Sequence, residues 1–314
     1  MWPRAFLALV VSTTGCHRDR TPDATVIRRD SSGIAIVEST RAAWGPAEGW
    51  RLAAEPSVVI DDATQVTEAA PLDPVNVWFT STGDIVVADG DQSGWHAFLV
   101  YSASGDFVRK VSRDGQGPGE FGQLYFAFPY RADSLLGFDT TGQTLAVFGM
   151  DGGFSREFRV PQLAAPGARV RGTFGTMVQL LGSFADGTVL FTSRGNLAVS
   201  DPGFAWTERV LVRLAPEGSV HDSLGLERAS QSWWTGTSVH LAPFAPMAHH
   251  LAGDSSYWVA TGEMFEVREY RQDGTLRRIM RRPYERATVN AQDRRDVRRW
   301  ARSHGGCASQ EHPV

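Results

Sequence analysis

Residues 101–107 read YSASGDF, and this seven-residue pattern decides the fold because it recurs along the chain. Each copy has a bulky apolar residue, three variable residues, a glycine, one variable residue and another apolar residue. The further copies are FGMDGGF at 148–154, LAPEGSV at 214–220 and YRQDGTL at 270–276. Glycine supplies the positive φ of a tight turn, so each copy predicts a hairpin between two strands. A pattern repeated every roughly 45 to 65 residues is typical of a β-propeller.

A second turn signal lies upstream of each copy, before a short apolar run. The four signals are Gly83-Asp84, Asp133-Ser134, Asp186-Gly187 and Asp254-Ser255. Each unit therefore reads as strand, turn, strand, loop, strand, glycine turn and strand, and four strands make one propeller blade.

The pattern predicts an all-β chain that forms an incomplete propeller of four-stranded blades. The four clear blades are expected over residues 75–111, 124–160, 177–224 and 247–281. We expect a loop insertion at 202–206 in the third blade. Strands at 33–39, 50–54 and 57–61 are expected to form a further, degenerate blade.

Composition agrees with one repeat domain in the 314-residue chain. The hydrophobic fraction of 42% and the charged fraction of 21% are ordinary for a globular protein. The net charge of −4 gives no reason to expect a nucleic-acid partner. After residue 283 the strand pattern stops, and residues 289–302 have apolar residues at helical spacing. A short amphipathic helix is predicted there, with Asn290 or Thr288 as its N-cap.

The first residues look like a bacterial lipoprotein signal. A basic start at 1–4 precedes the apolar run 5–11 and the small residues before Cys16. In this interpretation 1–16 is the signal peptide, Cys16 is lipidated and 17–32 is a polar tether. Ordinary secretory cleavage and no export remain the alternatives. Cys307 would then have no disulfide partner.

The propeller is expected over residues 33–283, followed by the helix and a polar tail at 284–314. Export would place the protein in the periplasm or on the outer membrane. It would touch a membrane only through the lipid anchor.

Residues 113–121 read RDGQGPGEF and resemble the inter-blade signature of six-bladed, NHL-repeat β-propellers, especially bacterial lipoproteins of that family. The matching residues are Gly115, Gly117, Pro118, Gly119, Glu120 and Phe121. Residues 32–37, 85–89 and 243–246 match other phrases of the same family. The resemblance covers about 30–283 and implies the fold, but it implies little about function. Members of the family usually continue into another blade, so either this ring has five units or its sixth blade is missing.

The glycines of this segment also raise the possibility of a phosphate cradle. A P-loop needs a lysine and a following helix, and neither is present in this segment. We therefore expect a tight connection in which Glu120 binds backbone groups and Phe121 packs between blades.

Two groups of side chains are candidate sites. Trp95, His96, Trp233 and Trp234 are candidates for binding at the rim, although the tryptophans would equally serve as packing residues. Asp89, Asp139 and His249 are candidates for the central channel, where they could hold Ca²⁺ or another divalent ion. The alternative for these three is a structural role. Strand alternation sends His249 and His250 to opposite faces, so the two cannot readily share a metal.

These observations favour an exported, lipid-anchored propeller that is a non-enzymatic scaffold for an unknown protein, peptide or glycan. No catalytic residue is assigned, since no G-x-S-x-G elbow occurs. The first alternative is a metal-dependent enzyme like the lactonase or lyase propellers. The second is an inactive, truncated member of the family.

Overall fold

The computed structural model describes residues 25–41, 49, 51–60, 74–90, 96–161, 178–192, 196–197, 201–236 and 239–303. Within these ranges the chain is mostly β-strand, with one α-helix near its end. It begins with a hairpin of two strands, β1 (Val26–Ser31) and β2 (Ile34–Ser39).

Four blades follow, and the strands named below for each blade pair antiparallel. The first blade contains β3 (Pro74–Phe79), β4 (Ile85–Gly90), β5 (His96–Tyr101) and β6 (Phe107–Val111). A short parallel pair then links two blades: β7 (Arg113–Asp114) and β8 (Glu120–Phe121). The second blade contains β9 (Leu124–Tyr130), β10 (Ser134–Asp139), β11 (Thr144–Phe148) and β12 (Phe154–Arg159).

The third blade contains β13 (Gln179–Ser183), β14 (Val189–Thr192), β15 (Asn196–Leu197), β16 (Gly203–Leu214), β17 (Val220–Trp234) and β18 (Val239–Leu241). The fourth contains β19 (His249–Ala252), β20 (Ser256–Ala260), β21 (Glu266–Arg271) and β22 (Leu276–Arg281).

The repeated glycine forms the same turn in every blade. Gly105, Gly152, Gly218 and Gly274 have φ values of 90°, 90°, 91° and 83°. Each donates its N–H to the carbonyl oxygen three residues earlier, at 2.8 to 3.0 Å. Each turn joins the third and fourth main strands of its blade, so the predicted hairpins are confirmed.

The blades pack side by side in sequence order. Strand β9 contacts β3 on one side and β13 on the other, and β13 contacts β19. The core lies between the sheets, where Phe98 of the first blade meets Phe148 of the second. Phe138 of the second blade likewise meets Phe191 of the third. The predicted all-β propeller with four blades is confirmed, and the count of six stays a prediction.

The expected degenerate N-terminal blade is wrong. Strand β2 instead pairs in parallel with β22, with Ile36 opposite Ile279, and so extends the fourth blade. Residues 51–60 form no strand. Val58 and Ile60 pack on the first blade beside Leu99 and Tyr101. These two side chains cover a face of the sheet, but their backbone does not pair with the edge of a sheet. An alternating apolar pattern is compatible with either arrangement, so the sequence could not distinguish a covering segment from a paired strand.

The prediction of a loop at 202–206 is also wrong, and so is the predicted end of the third blade at residue 224. Residues 203–206 belong to β16, and β17 continues to Trp234. Ala205 and Thr207 are buried on one face of β16, while Phe204 and Trp206 lie on the other. This period of two is a strand pattern that the nearby proline and glycine obscure.

The predicted helix is confirmed as α1 (Ala291–Ser303). The Asn290 side chain accepts the Gln292 N–H at 2.7 Å, and the Asn290 N–H donates to Asp293 Oδ2 at 2.8 Å. Asn290 is therefore the N-cap, and the pair forms a reciprocal capping arrangement. Within the described part of the chain, no helix combines the length and the apolar character that crossing a bilayer requires.

Candidate functional site

The glycine-rich segment connects the first two blades. The Gly117 N–H donates to Glu120 Oε2 at 2.9 Å, and Arg113 Nε donates to Glu120 Oε1 at 2.7 Å. The Gly117 bond, followed by Arg113, lowers the pKa of the Glu120 carboxyl. Phe121 is fully buried between the blades, where its ring lies 5.9 Å from that of Phe98. The carboxylate closes the loop, and the phenylalanine anchors it in the core.

Gly119 shows why this connection needs glycine. Its φ is +74°, and a Cβ there would lie 2.8 Å from the ring of Phe154. A side chain at this position would therefore be strained by its backbone and would collide with β12.

Of the channel candidates, Asp139 has a clear local role. Its carboxylate accepts N–H groups from Gly122 at 3.0 Å, Gln123 at 3.1 Å and Thr141 at 2.7 Å. Asp89 is buried at the end of β4, and His249 is exposed at the start of β19. Within the described ranges, no three His, Cys, Asp or Glu side chains lie close enough together to hold a metal ion.

The rim candidates separate. Trp95 lies outside the described residues, as does the predicted lipidation site Cys16, and His96 begins β5. Trp234 is buried in the third blade, whereas Trp233 is partly exposed on the other face of β17.

A partly exposed aromatic surface lies on the long β16–β17 hairpin. Phe204 and Trp233 face each other across the hairpin with ring centroids 4.9 Å apart and planes at 78°. Trp206 lies on the same side, and the Arg228 guanidinium sits 5.5 Å from its ring centroid. Phe204 is 58% exposed. We call Phe204, Trp206, Arg228 and Trp233 the hairpin face.

The opposite side of the same hairpin carries a buried polar cluster. His250 of β19 contacts the Glu227 carboxylate, and their side chains are 3% and 15% exposed. Glu227 lies opposite Arg209, which donates to Gln179. Burial lowers the pKa of Arg209, and the charge of Glu227 opposes this effect. The cluster joins the third and fourth blades at their interface.

Only part of these arrangements can be predicted from the sequence. The histidine doublet signals one buried and one exposed ring, but its Glu227 partner is brought in by packing between blades. Phe204 and Trp206 are missed because the segment reads as a loop.

No family model and no curated protein sequence matches the chain. Among solved structures it is similar to a Bacteroides fragilis protein described as exported, with a TM-score of 0.38 and 12% identity, covering 67% of this chain and 71% of that one. It is similar to a catalytically inactive variant of virginiamycin B lyase from Staphylococcus aureus with quinupristin, with a TM-score of 0.34 and 11% identity, covering 62% and 65%.

A gluconolactonase from Xanthomonas campestris matches with a TM-score of 0.30 and 14% identity, covering 71% of this chain and 83% of that one. At such low TM-scores and identities, these likenesses carry no argument about what the present chain binds or does.

Proposed function

We propose that this propeller is an exported, lipid-anchored protein of the cell envelope that binds a protein partner on the hairpin face and has no enzymatic activity. The observation that carries the proposal is the pair of contacting rings, exposed Phe204 and partly exposed Trp233, beside Trp206 and Arg228.

The residue types of the hairpin face support protein binding. Aromatic residues and arginine are enriched at protein interfaces, and tryptophan, tyrosine and arginine are enriched among the few residues that supply most of the binding energy. Phe204 leaves more than half of its surface in water. Covering that surface with a partner would be favourable by the hydrophobic effect.

The backbone beneath these side chains supports the same function. Strands β16 and β17 pair from Gly203–Trp234 to Leu214–Val220 with three register shifts, and the part that carries the aromatic rings, 203–207 opposite 230–234, pairs in one unbroken register. A surface held in this way is already ordered before binding, which lowers the entropic cost of association.

The shape of the face favours a protein over a glycan. The rings of Phe204 and Trp233 meet nearly at right angles. Two rings at this angle do not together form the flat aromatic platform on which a sugar ring stacks best.

The N-terminal pattern supports the envelope location. An apolar run at 5–11 and small residues lead to Cys16, as in lipoprotein signals. Acyl chains on that cysteine would hold the propeller at a membrane surface without a spanning helix.

Site-specific photo-crosslinking tests the partner site. A photoreactive residue at Phe204, in the host cell, should give one discrete protein adduct, and the same residue at Arg28 should not. The partner identified by mass spectrometry, once purified, should bind wild type at least about tenfold more tightly than Trp233→Ala. Equal adducts at both positions, an adduct containing only glycan, or unchanged affinity of Trp233→Ala would contradict the proposal.

Fractionation tests the anchor separately. Wild type should sediment with membranes and incorporate labelled fatty acid, while Cys16→Ser should do neither. Labelling that persists in Cys16→Ser would overturn the assignment of this cysteine.

A further inference from the structure

A shallow, open cavity lies between the third and fourth blades, at the end of β16 far from the hairpin face. Its volume is about 410 Å³, within the range of small-molecule sites. The lining residues are Arg213, Ser255, Arg271, Gln272, Asp273 and Arg277. We call this cavity the arginine pocket.

Arg213 forms the buried wall of the pocket. It is 8% exposed, and its guanidinium is held on two sides. Nη2 lies 3.0 Å from Asp222 Oδ2, and Nη1 donates to the Gln272 carbonyl oxygen at 3.3 Å. These contacts fix the orientation of a cation that burial alone would disfavour.

Arg277 is positioned from the fourth blade. Its Nη1 lies 3.0 Å from Glu269 Oε1, and Arg278 Nε lies 3.4 Å from the other oxygen of that carboxylate. Glu269 is 4% exposed and also accepts the Ser256 hydroxyl at 3.1 Å. One buried carboxylate thus holds two guanidinium groups, which leaves local positive charge.

The mouth of the pocket is formed by the last glycine turn. Arg271 ends β21 and is exposed, and Asp273 supplies the single carboxylate among the lining residues. The Asp273 carboxylate accepts the Thr275 N–H at 2.8 Å. This bond, with a smaller contribution from Arg271, lowers the pKa of Asp273, so the group is ionised at neutral pH.

We propose that the arginine pocket binds a small molecule through an oxyanion group, either a carboxylate or a phosphate. Three guanidinium groups from two blades line the pocket beside one lining carboxylate, Asp273. Asp222 and Glu269 pair with Arg213 and Arg277 and hold them in place. The planar fork of arginine matches both kinds of oxyanion with paired hydrogen bonds. The Ser255 hydroxyl and the Gln272 side-chain oxygen add neutral groups that suit the remainder of a polar ligand, while Gln272 Nε2 donates to the Asp254 carbonyl oxygen at 2.9 Å.

Titration calorimetry on the full chain tests the site, with inorganic phosphate and succinate as separate probes at low salt. At least one probe should bind, and binding should weaken as salt increases. Binding of phosphate alone assigns a phosphoryl ligand, and binding of succinate alone assigns a carboxylate. No heat from either probe up to about 10 mM would overturn the proposal.

Three variants make the test specific. Arg271→Gln changes an exposed residue and should weaken binding about tenfold, the loss expected for a charged hydrogen bond. Asp273→Asn keeps a side-chain oxygen for the Thr275 N–H and should tighten binding, because it removes the repelling charge. Arg28→Gln on β1 is the matched control and should bind as wild type does. Equal weakening by Arg28→Gln and Arg271→Gln would show nonspecific charge attraction, and weaker binding by Asp273→Asn would show that Asp273 does not repel the bound anion; either result would refute the site.

Discussion

Glu120 shows what a single carboxylate does in the connection between the first two blades. It accepts the Gly117 N–H and the Arg113 guanidinium, and its charged form makes both bonds. Its pKa in the folded protein is therefore lowered, which means that ionisation of this group favours the folded state.

A pH series on Glu120→Gln tests this contribution. Because the folded pKa lies below the unfolded value of about 4.3, the stabilisation is fully present above that value and disappears as pH falls through the folded pKa. Urea unfolding at pH 7 should show Glu120→Gln less stable than wild type, and the difference should shrink toward pH 3. If the difference in unfolding free energy between the two proteins did not change with pH, the lost stability would come from the changed shape of the side chain and not from its lost charge.

His250 and His249 are adjacent residues with different burial, so the same substitution at the two positions can be compared directly. The His250 side chain is buried against Glu227, while His249 is exposed. We expect His250→Leu to cost about 2 kcal/mol of unfolding free energy, because it leaves a buried carboxylate short of a partner. His249→Leu should stay within about 0.5 kcal/mol of wild type. Similar losses for both variants in urea melts would mean that the buried pair does not stabilise the blade interface.

At this scale the sequence predicts what depends on neighbours along the chain. The alternation of His249 and His250, the Asn290 cap and the turn glycines are all local consequences of backbone geometry. The Glu227–His250 contact and the arginine pocket arise where two blades meet. Their partners are distant in sequence, so no spacing rule could bring them together.

At the scale of elements, the N-terminal hairpin extends the fourth blade. Strand β2 lies between β1 and β22, antiparallel to the first and parallel to the second. Glu38 adds an ion pair with Arg281, at 3.2 Å. The GIAIV pattern predicts that a strand exists, but pairing direction and partner depend on which sheet edge is free, and this depends on tertiary context.

Hydrogen exchange on Ile36→Pro tests this pairing. Proline removes a backbone donor and disfavours a central strand position, so β2 should detach from β22. Amides of residues 278–281 should then exchange faster, while those of β10 in the second blade should not change. Ile36→Val keeps the β-branched shape and is the control. Unchanged protection of β22 in Ile36→Pro would contradict the parallel pairing.

At the scale of the whole molecule, the N-terminal part of the chain touches both end blades. Residues 34–39 extend the fourth blade, and Val58 and Ile60 cover a face of the first. The innermost strands link the blades in sequence order, so this segment adds a second connection between the blades at the two ends.

This arrangement predicts thermodynamic coupling between distant sites. Val58→Asp places a charge against the cluster of Leu99 and Tyr101, and Ile36→Pro opens the other end. Distant substitutions normally have additive effects on the free energy of unfolding. Val58 and Ile36 lie on one segment that contacts both end blades, so their substitutions should show a coupling energy of about 1 kcal/mol in a double-mutant cycle. Val58→Asp combined with His249→Leu is the control and should be additive. Additivity in both cycles would mean that the two ends are independent.

The central claim is that four β-sheets stand side by side as blades, each covering the face of its neighbour, and the most direct measurement is a crystal structure of the chain. The account predicts four antiparallel blades with β3, β9, β13 and β19 consecutive at their inner edges, and β2 parallel to β22. Electron density that places the four turn glycines in one continuous sandwich, or pairs β2 with the first blade, would contradict it.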